Sequence, residues 1–183
     1  RRPETWTVLN AFRKPKLIVF DLDGCLWRPE MYELAWDGRQ HAPFEPCSED
    51  GTKMKSQMNT IVKLIGDVAE LLDDFYMNKD TTWEGTELAI SSRTDVPEWA
   101  KELLEKMRLP EAGVSLNEVI TGPHEIAHDS KTSHFQRLSK QTGIALEDMV
   151  FFDNEFGNCR SVAQLGVTVA YTPKGVKKHS WES

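Results

Sequence analysis

The chain has 183 residues, of which 39% are hydrophobic and 28% are charged, and its formal net charge is −7. These values predict one soluble globular domain over residues 1–183 and argue against general nucleic-acid binding. No apolar run reaches the roughly 20 residues that a membrane-spanning helix needs, so no membrane partner is expected. The three cysteines, Cys25, Cys47 and Cys159, form neither a metal-type pair nor an even disulfide set. They are expected to be free thiols in a reducing, cytoplasmic compartment.

The first predicted element is a strand that ends in two carboxylates. Residues 17–20 are four consecutive large apolar residues, a run typical of a strand buried on both faces in a parallel sheet. Asp21 and Asp23 follow, and because strand side chains alternate they should point to the same side. Ligands of open parallel sheets bind beyond the carboxyl ends of the strands. This favours a catalytic or metal site, although Asp-x-Asp with Gly24 could also be an ordinary polar turn.

A small hairpin flap is predicted at about residues 37–60. Its signal is Asp50-Gly51 between two short segments, which is a hairpin-type turn sequence. The flap would overhang the carboxyl end of the first strand. Apolar residues then recur at helical spacing and predict a helix over residues 61–76.

The remaining chain alternates strands with helices. Strands are predicted at 85–92, 118–121, 149–155 and 167–171, and helices at 95–109, 130–142 and 158–165, before a solvated tail over 174–183. The strand at 149–155 is an apolar run that ends in an acidic cluster. This alternation predicts an α/β fold with a doubly wound, Rossmann-like parallel sheet and right-handed crossovers. The connections after the first two strands are too short for a large cap domain.

Four polar features lie at predicted strand ends or helix starts. They are Asp21 with Asp23, Ser91-Ser92-Arg93, Lys131, and Asp153-Asn154-Glu155. Together they supply carboxylates, hydroxyls, a cation and oxygen ligands for a metal, which are the components that phosphoryl transfer requires. A lysine in the first turn of a helix opposes the helix dipole, which favours a functional role for Lys131 over a solvated one.

These motifs, in this order, resemble the haloacid dehalogenase (HAD) superfamily of phosphohydrolases and, within it, the magnesium-dependent phosphatase-1 family. The likeness is carried by residues 19–27, 92–94, 130–138 and 150–155 together with Asn158, and it spans roughly residues 16–172. The resemblance implies a HAD-type fold and a Mg²⁺-dependent phosphomonoester hydrolase that works through an aspartyl-phosphate. It implies a phosphoprotein (phosphotyrosine) or a sugar-phosphate type of small molecule as substrate.

By the same resemblance, Asp21 would be the nucleophile and Asp23 the general acid/base. The nearness of the two carboxylates favours a partly protonated Asp23, which suits an acid. Ser92, Arg93 and Lys131 would bind the substrate phosphate, with Ser91 as the alternative to Ser92.

Magnesium is the expected metal because the candidate ligands are hard oxygens. The resemblance implies Asp21, the backbone carbonyl of Asp23 and Asp153 as its protein ligands. The family pattern commonly has a second aspartate in the last motif, where this chain has Asn154. An amide ligand there would lower metal affinity, so Asp153 is expected to be the direct ligand, with Asn154 and Glu155 acting behind it or through water.

Two alternative functions stay open, and the residues exclude a third. A signalling receiver domain also gathers acids, a hydroxyl and a lysine around magnesium, but its acidic pair precedes the phosphorylated aspartate, whereas here Asp-x-Asp leads. A non-catalytic binding module on the same fold would not need Asp23. A cysteine-dependent phosphatase fails because no arginine follows any cysteine by six positions. His124, His128 and His134 lack zinc-hydrolase spacing and are expected to be surface or local structural residues.

Overall fold

The computed structural model describes residues 14–34 and 43–182. Within these residues it has nine strands: β1 (Leu17–Phe20), β2 (Trp27–Arg28), β3 (Glu45–Pro46), β4 (Lys53–Lys55), β5 (Ile61–Leu64), β6 (Glu87–Ser92), β7 (His124–Ile126), β8 (Met149–Asp153) and β9 (Thr168–Tyr171). Five of them form a parallel sheet in the order β7-β6-β1-β8-β9. The chain therefore builds the sheet outward from β1 on one side and then on the other, as a doubly wound fold requires.

The helices of the described residues flank this sheet or connect its strands. They are α1 (Met31–Leu34), α2 (Val68–Met77), α3 (Pro97–Lys106), α4 (Leu116–Val119), α5 (Lys131–Thr142), α6 (Phe156–Ala163) and α7 (Lys178–Glu182). Helix α5 begins after Ser130, whose hydroxyl accepts a hydrogen bond from the amide of Ser133, and ends at Gly143 in the left-handed conformation. Each helix in this part of the chain falls short of the length and apolar character that a bilayer crossing demands.

Strand β1 lies at the centre of the sheet and is covered on both faces. It pairs in parallel with β6 and with β8, and all four of its residues are buried. Ile18 and Phe20 pack into one hydrophobic cluster, while Leu17 and Val19 pack into a second cluster on the opposite face. Two covered faces explain the unbroken apolar sequence. They also leave the strand end as the first place where polar side chains can emerge.

A second, antiparallel sheet follows β1 in the chain, with strand order β2-β5-β4-β3. Strands β3 and β4 pair across the Asp50-Gly51 turn, where Gly51 has a φ of +71°. Strand β5 pairs with both β4 and β2, so the sheet extends beyond the predicted flap. The first part of that flap, residues 37–42, lies outside the described residues.

The prediction of one helix over residues 61–76 is wrong in its first part. Ile61–Leu64 is strand β5, and the helix begins only at Val68. Gly66 separates the two with a φ of +62°, and a Cβ there would lie 2.4 Å from the carbonyl oxygen of Val176. Pairing with two neighbouring strands outweighs the helical spacing of a short segment whose apolar positions fit either pattern.

The predicted strand at 118–121 is also wrong, because Leu116–Val119 forms helix α4. Ser115 and Glu118 make reciprocal hydrogen bonds between each side chain and the other residue's backbone amide, at 3.3 and 2.7 Å. This is a capping box, and its Ser-x-x-Glu spacing is visible in the sequence. The third strand of that half of the sheet is instead β7. The tail expected to be solvated contains the short helix α7.

Candidate active site

A cleft of about 250 Å³ opens where β1, β6 and β8 reach their carboxyl ends. Its lining includes the predicted site residues Asp21, Asp23, Ser92, Arg93 and Lys131. The other lining residues are Glu30, Tyr32, Thr94, Asp95, His128, Glu155 and Asn158. The parallel sheet thus brings to one edge the side chains that the sequence places far apart.

Lys131 is the centre of the buried charges beside this cleft. Its Nζ lies 2.7 Å from Oδ1 of Asp21 and 3.5 Å from Oδ2 of Asp153, and it also donates to the backbone carbonyl of Ser91. Asp21, Lys131 and Asp153 are 8%, 3% and 0% exposed. Burial and the charge of Asp21 raise the pKa of Asp153, and the Lys131 ammonium opposes that rise. The ammonium therefore allows two carboxylates to share a nearly dry space.

Asp153 is held from three sides. Its Oδ1 accepts a hydrogen bond from the Glu155 amide at 2.7 Å, and its Oδ2 accepts one from Nδ2 of Asn158 at 3.0 Å. Lys131 approaches the same Oδ2. With these partners the carboxylate is oriented toward the lysine.

Asn154, the next residue, lies directly against the two carboxylate-bearing residues of the first motif. One terminal atom of its amide is 3.0 Å from the backbone carbonyl of Asp23 and 3.1 Å from Oδ2 of Asp21. A carboxylate, a carbonyl and an amide that converge in this way form a donor set suited to a hard divalent cation. Within residues 14–34 and 43–182, no group of three His, Cys, Asp or Glu side chains could hold a metal. The set described here contains only one side chain of these types, that of Asp21, because its other two members are a backbone carbonyl and an amide. Asn154 thus lies against Asp21 and Asp23, whereas Asp153, the expected ligand, lies against Lys131.

Asp23 is held within its own loop at the edge of the cleft. Its Oδ1 accepts from the indole of Trp27 at 2.8 Å and its Oδ2 from the amide of Met31 at 2.9 Å. Burial raises the pKa of Asp23 to about 6, and the charges of Asp21 and Glu30 act in the same direction against the two hydrogen bonds. A carboxyl with this pKa can both give and take a proton near neutral pH.

The two serines at the end of β6 face different surroundings. Ser92 lines the cleft, and its hydroxyl accepts a hydrogen bond from the Thr94 amide at 3.3 Å. The Ser91 hydroxyl lies 2.8 Å from Nδ1 of the buried His134. Strand alternation accounts for the difference, and it leaves Ser92 as the hydroxyl on the cleft side. Arg93 is exposed at the cleft and completes the predicted set.

Known proteins are similar to this chain in both sequence and fold. A family model described as Acid Phosphatase matches residues 13–183. The chain is 34% identical to a HAD-like hydrolase superfamily protein of Schizosaccharomyces pombe, over 91% of this chain and 88% of that protein. It is 36% identical to Magnesium-dependent phosphatase 1 of Homo sapiens, over 90% of this chain and 81% of that protein. The chain belongs to the acid phosphatase family.

A solved structure agrees with this membership at the level of the fold. A HAD family enzyme from Bacteroides thetaiotaomicron, in complex with magnesium and inorganic phosphate, matches with a TM-score of 0.55 at 14% identity, over 86% of this chain and 93% of that chain. The predicted HAD-type α/β fold without a large cap is confirmed, as is the phosphatase class of the family. The magnesium expected from the sequence is the cation named for the human relative and contained in the Bacteroides complex.

Sequence reasoning missed several cleft residues of this acid phosphatase family member. Asp95, the first residue of the predicted helix over 95–109, lies before helix α3 and pairs with Nδ1 of His128 at 2.9 Å, and the helix has no side-chain cap. Glu30 and Tyr32 reach the cleft from the segment that follows β2. These four residues belong to loops or a short helix without a motif, so only the three-dimensional structure reveals them.

His134 fits the structural role expected of it, although it is completely buried rather than on the surface. Its Nε2 lies 3.0 Å from the carbonyl of Ala127, while its Nδ1 meets Ser91. Burial and the nearby Lys131 charge lower the pKa of His134, which favours the neutral ring. Its position three residues after Lys131 puts it on the same face of α5, and this is the signal in the sequence.

Proposed function

We propose that this protein is a magnesium-dependent phosphomonoester hydrolase in which Asp21 is the nucleophile. One observation carries the proposal: the Lys131 ammonium is shared between Asp21 and Asp153 at the floor of a cleft formed by strand ends. A fixed cation beside a carboxylate is suited to stabilise the charge of a phosphoryl group that the carboxylate attacks. Membership of the acid phosphatase family supports the same chemistry.

The chain's own groups would bind the phosphate from several sides. Lys131 and Arg93 would neutralise its oxygens, and the hydroxyl of Ser92 would donate a hydrogen bond to one of them. Oδ2 of Asp21, the carbonyl of Asp23 and the amide oxygen of Asn154 would hold Mg²⁺. When bound, the ion supplies Lewis-acid stabilisation of the phosphoryl charge and lowers the repulsion between that charge and Asp21.

The reaction would proceed by two displacements at phosphorus. In the first, a carboxylate oxygen of Asp21 forms a bond to phosphorus, the ester P–O bond breaks, and the leaving oxygen takes a proton from Asp23. In the second, Asp23 takes a proton from water, the water oxygen bonds to phosphorus, and the bond to Asp21 breaks. Inorganic phosphate leaves and both carboxyls return to their starting states. The pKa of about 6 for Asp23 suits both proton transfers.

The substrate would be a phosphoprotein side chain such as phosphotyrosine or a small sugar phosphate. The cleft is open, and its volume of about 250 Å³ accommodates a phosphate and a group of the size of a ring. The free thiols of Cys25, Cys47 and Cys159 support a reducing cytoplasmic location. Relative kcat/KM values for a phosphotyrosine peptide and for a panel of sugar phosphates would separate the two substrate types.

Hydrolysis of p-nitrophenyl phosphate with Mg²⁺ and with EDTA tests the proposal. Asp21→Asn and Asp23→Asn should each reduce kcat by orders of magnitude, because one removes the nucleophile and the other the base for the second step. Asp80→Asn makes the same chemical change at an exposed residue outside the cleft and should leave the rate unchanged. Full activity in EDTA, or in Asp21→Asn, would reject the mechanism.

A further inference from the structure

The amide of Asn154 is the one neutral side chain among the proposed ligands of the cation. It lies within 3.0 Å of the Asp23 carbonyl and 3.1 Å of Oδ2 of Asp21. Both of these atoms are acceptors only, so an amide oxygen facing them makes no hydrogen bond and is repelled. If the nitrogen faces them, it donates to both at these distances.

The space around the amide is tight on its other side. A Cβ on Gly24 would come within 2.4 Å of the Asn154 amide, and Gly24 has a φ of +74°. The amide therefore packs closely against Gly24, and at this position it can present either of its terminal atoms to Asp21 and Asp23. An aspartate could present only acceptors there, whereas an asparagine can present a donor or an acceptor.

We infer that Asn154 is a two-position ligand, which presents its NH₂ to Asp21 and Asp23 when no cation is bound and turns its oxygen to them when Mg²⁺ binds. The inference rests on the proposed function, because it takes Mg²⁺ to bind at these atoms. In the cation-free position the amide hydrogens take the place of the ion and satisfy two acceptors that would otherwise face each other. In the loaded position the amide contributes an oxygen without a negative charge.

Two consequences distinguish this arrangement from a site with a third carboxylate. The protein does not depend on the ion for local stability, since the acceptors are satisfied without it. The affinity of the site for Mg²⁺ is low for two reasons. Binding must break the two hydrogen bonds of the amide, and the ion is attracted by one negative charge fewer than in a site with a third carboxylate. The occupancy of the site should therefore follow the free Mg²⁺ concentration rather than stay saturated.

The variant Asn154→Asp tests both consequences. Calorimetric titration with Mg²⁺ measures the affinity, and thermal melting in EDTA and in Mg²⁺ measures how far stability depends on the ion. The variant should bind Mg²⁺ at least about tenfold more tightly. It should melt at a lower temperature than the wild type in EDTA and gain more from added Mg²⁺. Asn117→Asp adds the same charge outside the cleft and should leave the Mg²⁺ affinity unchanged. Equal melting temperatures of wild type and Asn154→Asp in EDTA, or equal affinities, would overturn the inference.

NMR of the wild-type protein provides a test that does not depend on how Asn154→Asp folds. The side-chain NH₂ signals of Asn154, assigned by their loss in Asn154→Ala, should exchange slowly with solvent in EDTA and faster with Mg²⁺. Exchange that is equally fast in both conditions would contradict the two-position ligand. If these tests fail while hydrolysis by the wild type still requires Mg²⁺, only the inference falls. Hydrolysis that needs no Mg²⁺ would instead reject the proposed function.

Discussion

The two sheets of this protein contribute to the candidate site in very different ways. In the parallel sheet, β1, β6 and β8 all run in one direction, so Asp21, Ser92 and Asp153 gather at one edge. In the antiparallel sheet, successive strands end at opposite edges, and Trp27 of β2 contacts the predicted catalytic residue Asp23 through its indole. Strand direction thus determines at which edge of a sheet functional side chains can meet.

The largest difference between the two regions should appear when one lysine is removed from helix α5, beside the carboxyl edge of the parallel sheet, and one from the antiparallel sheet. Lys131→Met should reduce kcat/KM by about 10³-fold, because it removes the fixed charge next to the attacked phosphate. It should also destabilise the protein in EDTA by about 3 kcal/mol, since two buried carboxylates lose their common partner. Lys63→Met, on the exposed side of β5, should change neither quantity noticeably. Steady-state kinetics and urea unfolding measure both effects, and equal effects of the two variants would contradict the assignment.

A smaller effect is expected where the antiparallel sheet contacts the chemistry. Trp27→Phe removes the indole donor to Asp23, and because that hydrogen bond stabilises the carboxylate, the pKa of Asp23 should rise above its present value of about 6. For an alkyl phosphate, whose leaving oxygen needs a proton, kcat should fall by about tenfold per pH unit above this pKa. The variant should shift this decline to higher pH. A pH–rate profile that is unchanged by Trp27→Phe would remove Asp23 from the role of general acid.

The smallest effects are expected within β5 and depend on strand alternation. Val62 is fully buried and Ile61 is 53% exposed. Val62→Ala should cost about 2 kcal/mol of unfolding free energy, from lost burial and the resulting cavity. Ile61→Ala should cost less than about 0.5 kcal/mol, as is usual for an exposed position. Chemical denaturation measures both values, and similar costs for the two substitutions would contradict the strand.

The sequence predicts the parallel sheet better than the antiparallel one for a physical reason. β1 and β8 are covered on both faces, and such strands require long apolar runs that end abruptly in polar residues. β5 has only one buried face and four residues, so its pattern also fits the start of a helix. The helix α4 could have been found from its capping box at Ser115 and Glu118.

The residue types of the site could be predicted from the sequence, but the directions in which their side chains point could not. Asp153 and Asn154 are neighbours, and consecutive side chains at a strand end point in different directions. Which of them meets Asp21 depends on the path of the chain after β8, and no motif encodes that path. The contacts of Asp95 with His128 depend on two loops that are distant in sequence. That Asp95 and His128 line the cleft therefore follows from the fold alone.

Trapping the phosphorylated enzyme tests the central assignment most directly. Asp23→Asn should form the aspartyl-phosphate from p-nitrophenyl phosphate but hydrolyse it slowly, because it lacks the base that activates water. Reduction of the quenched protein with borohydride converts an aspartyl-phosphate to homoserine, and peptide mass spectrometry then locates the change. We expect homoserine at position 21 and nowhere else in the chain. Homoserine at another position, or its absence from a protein that turns over this substrate, would contradict the assignment of Asp21 as the nucleophile.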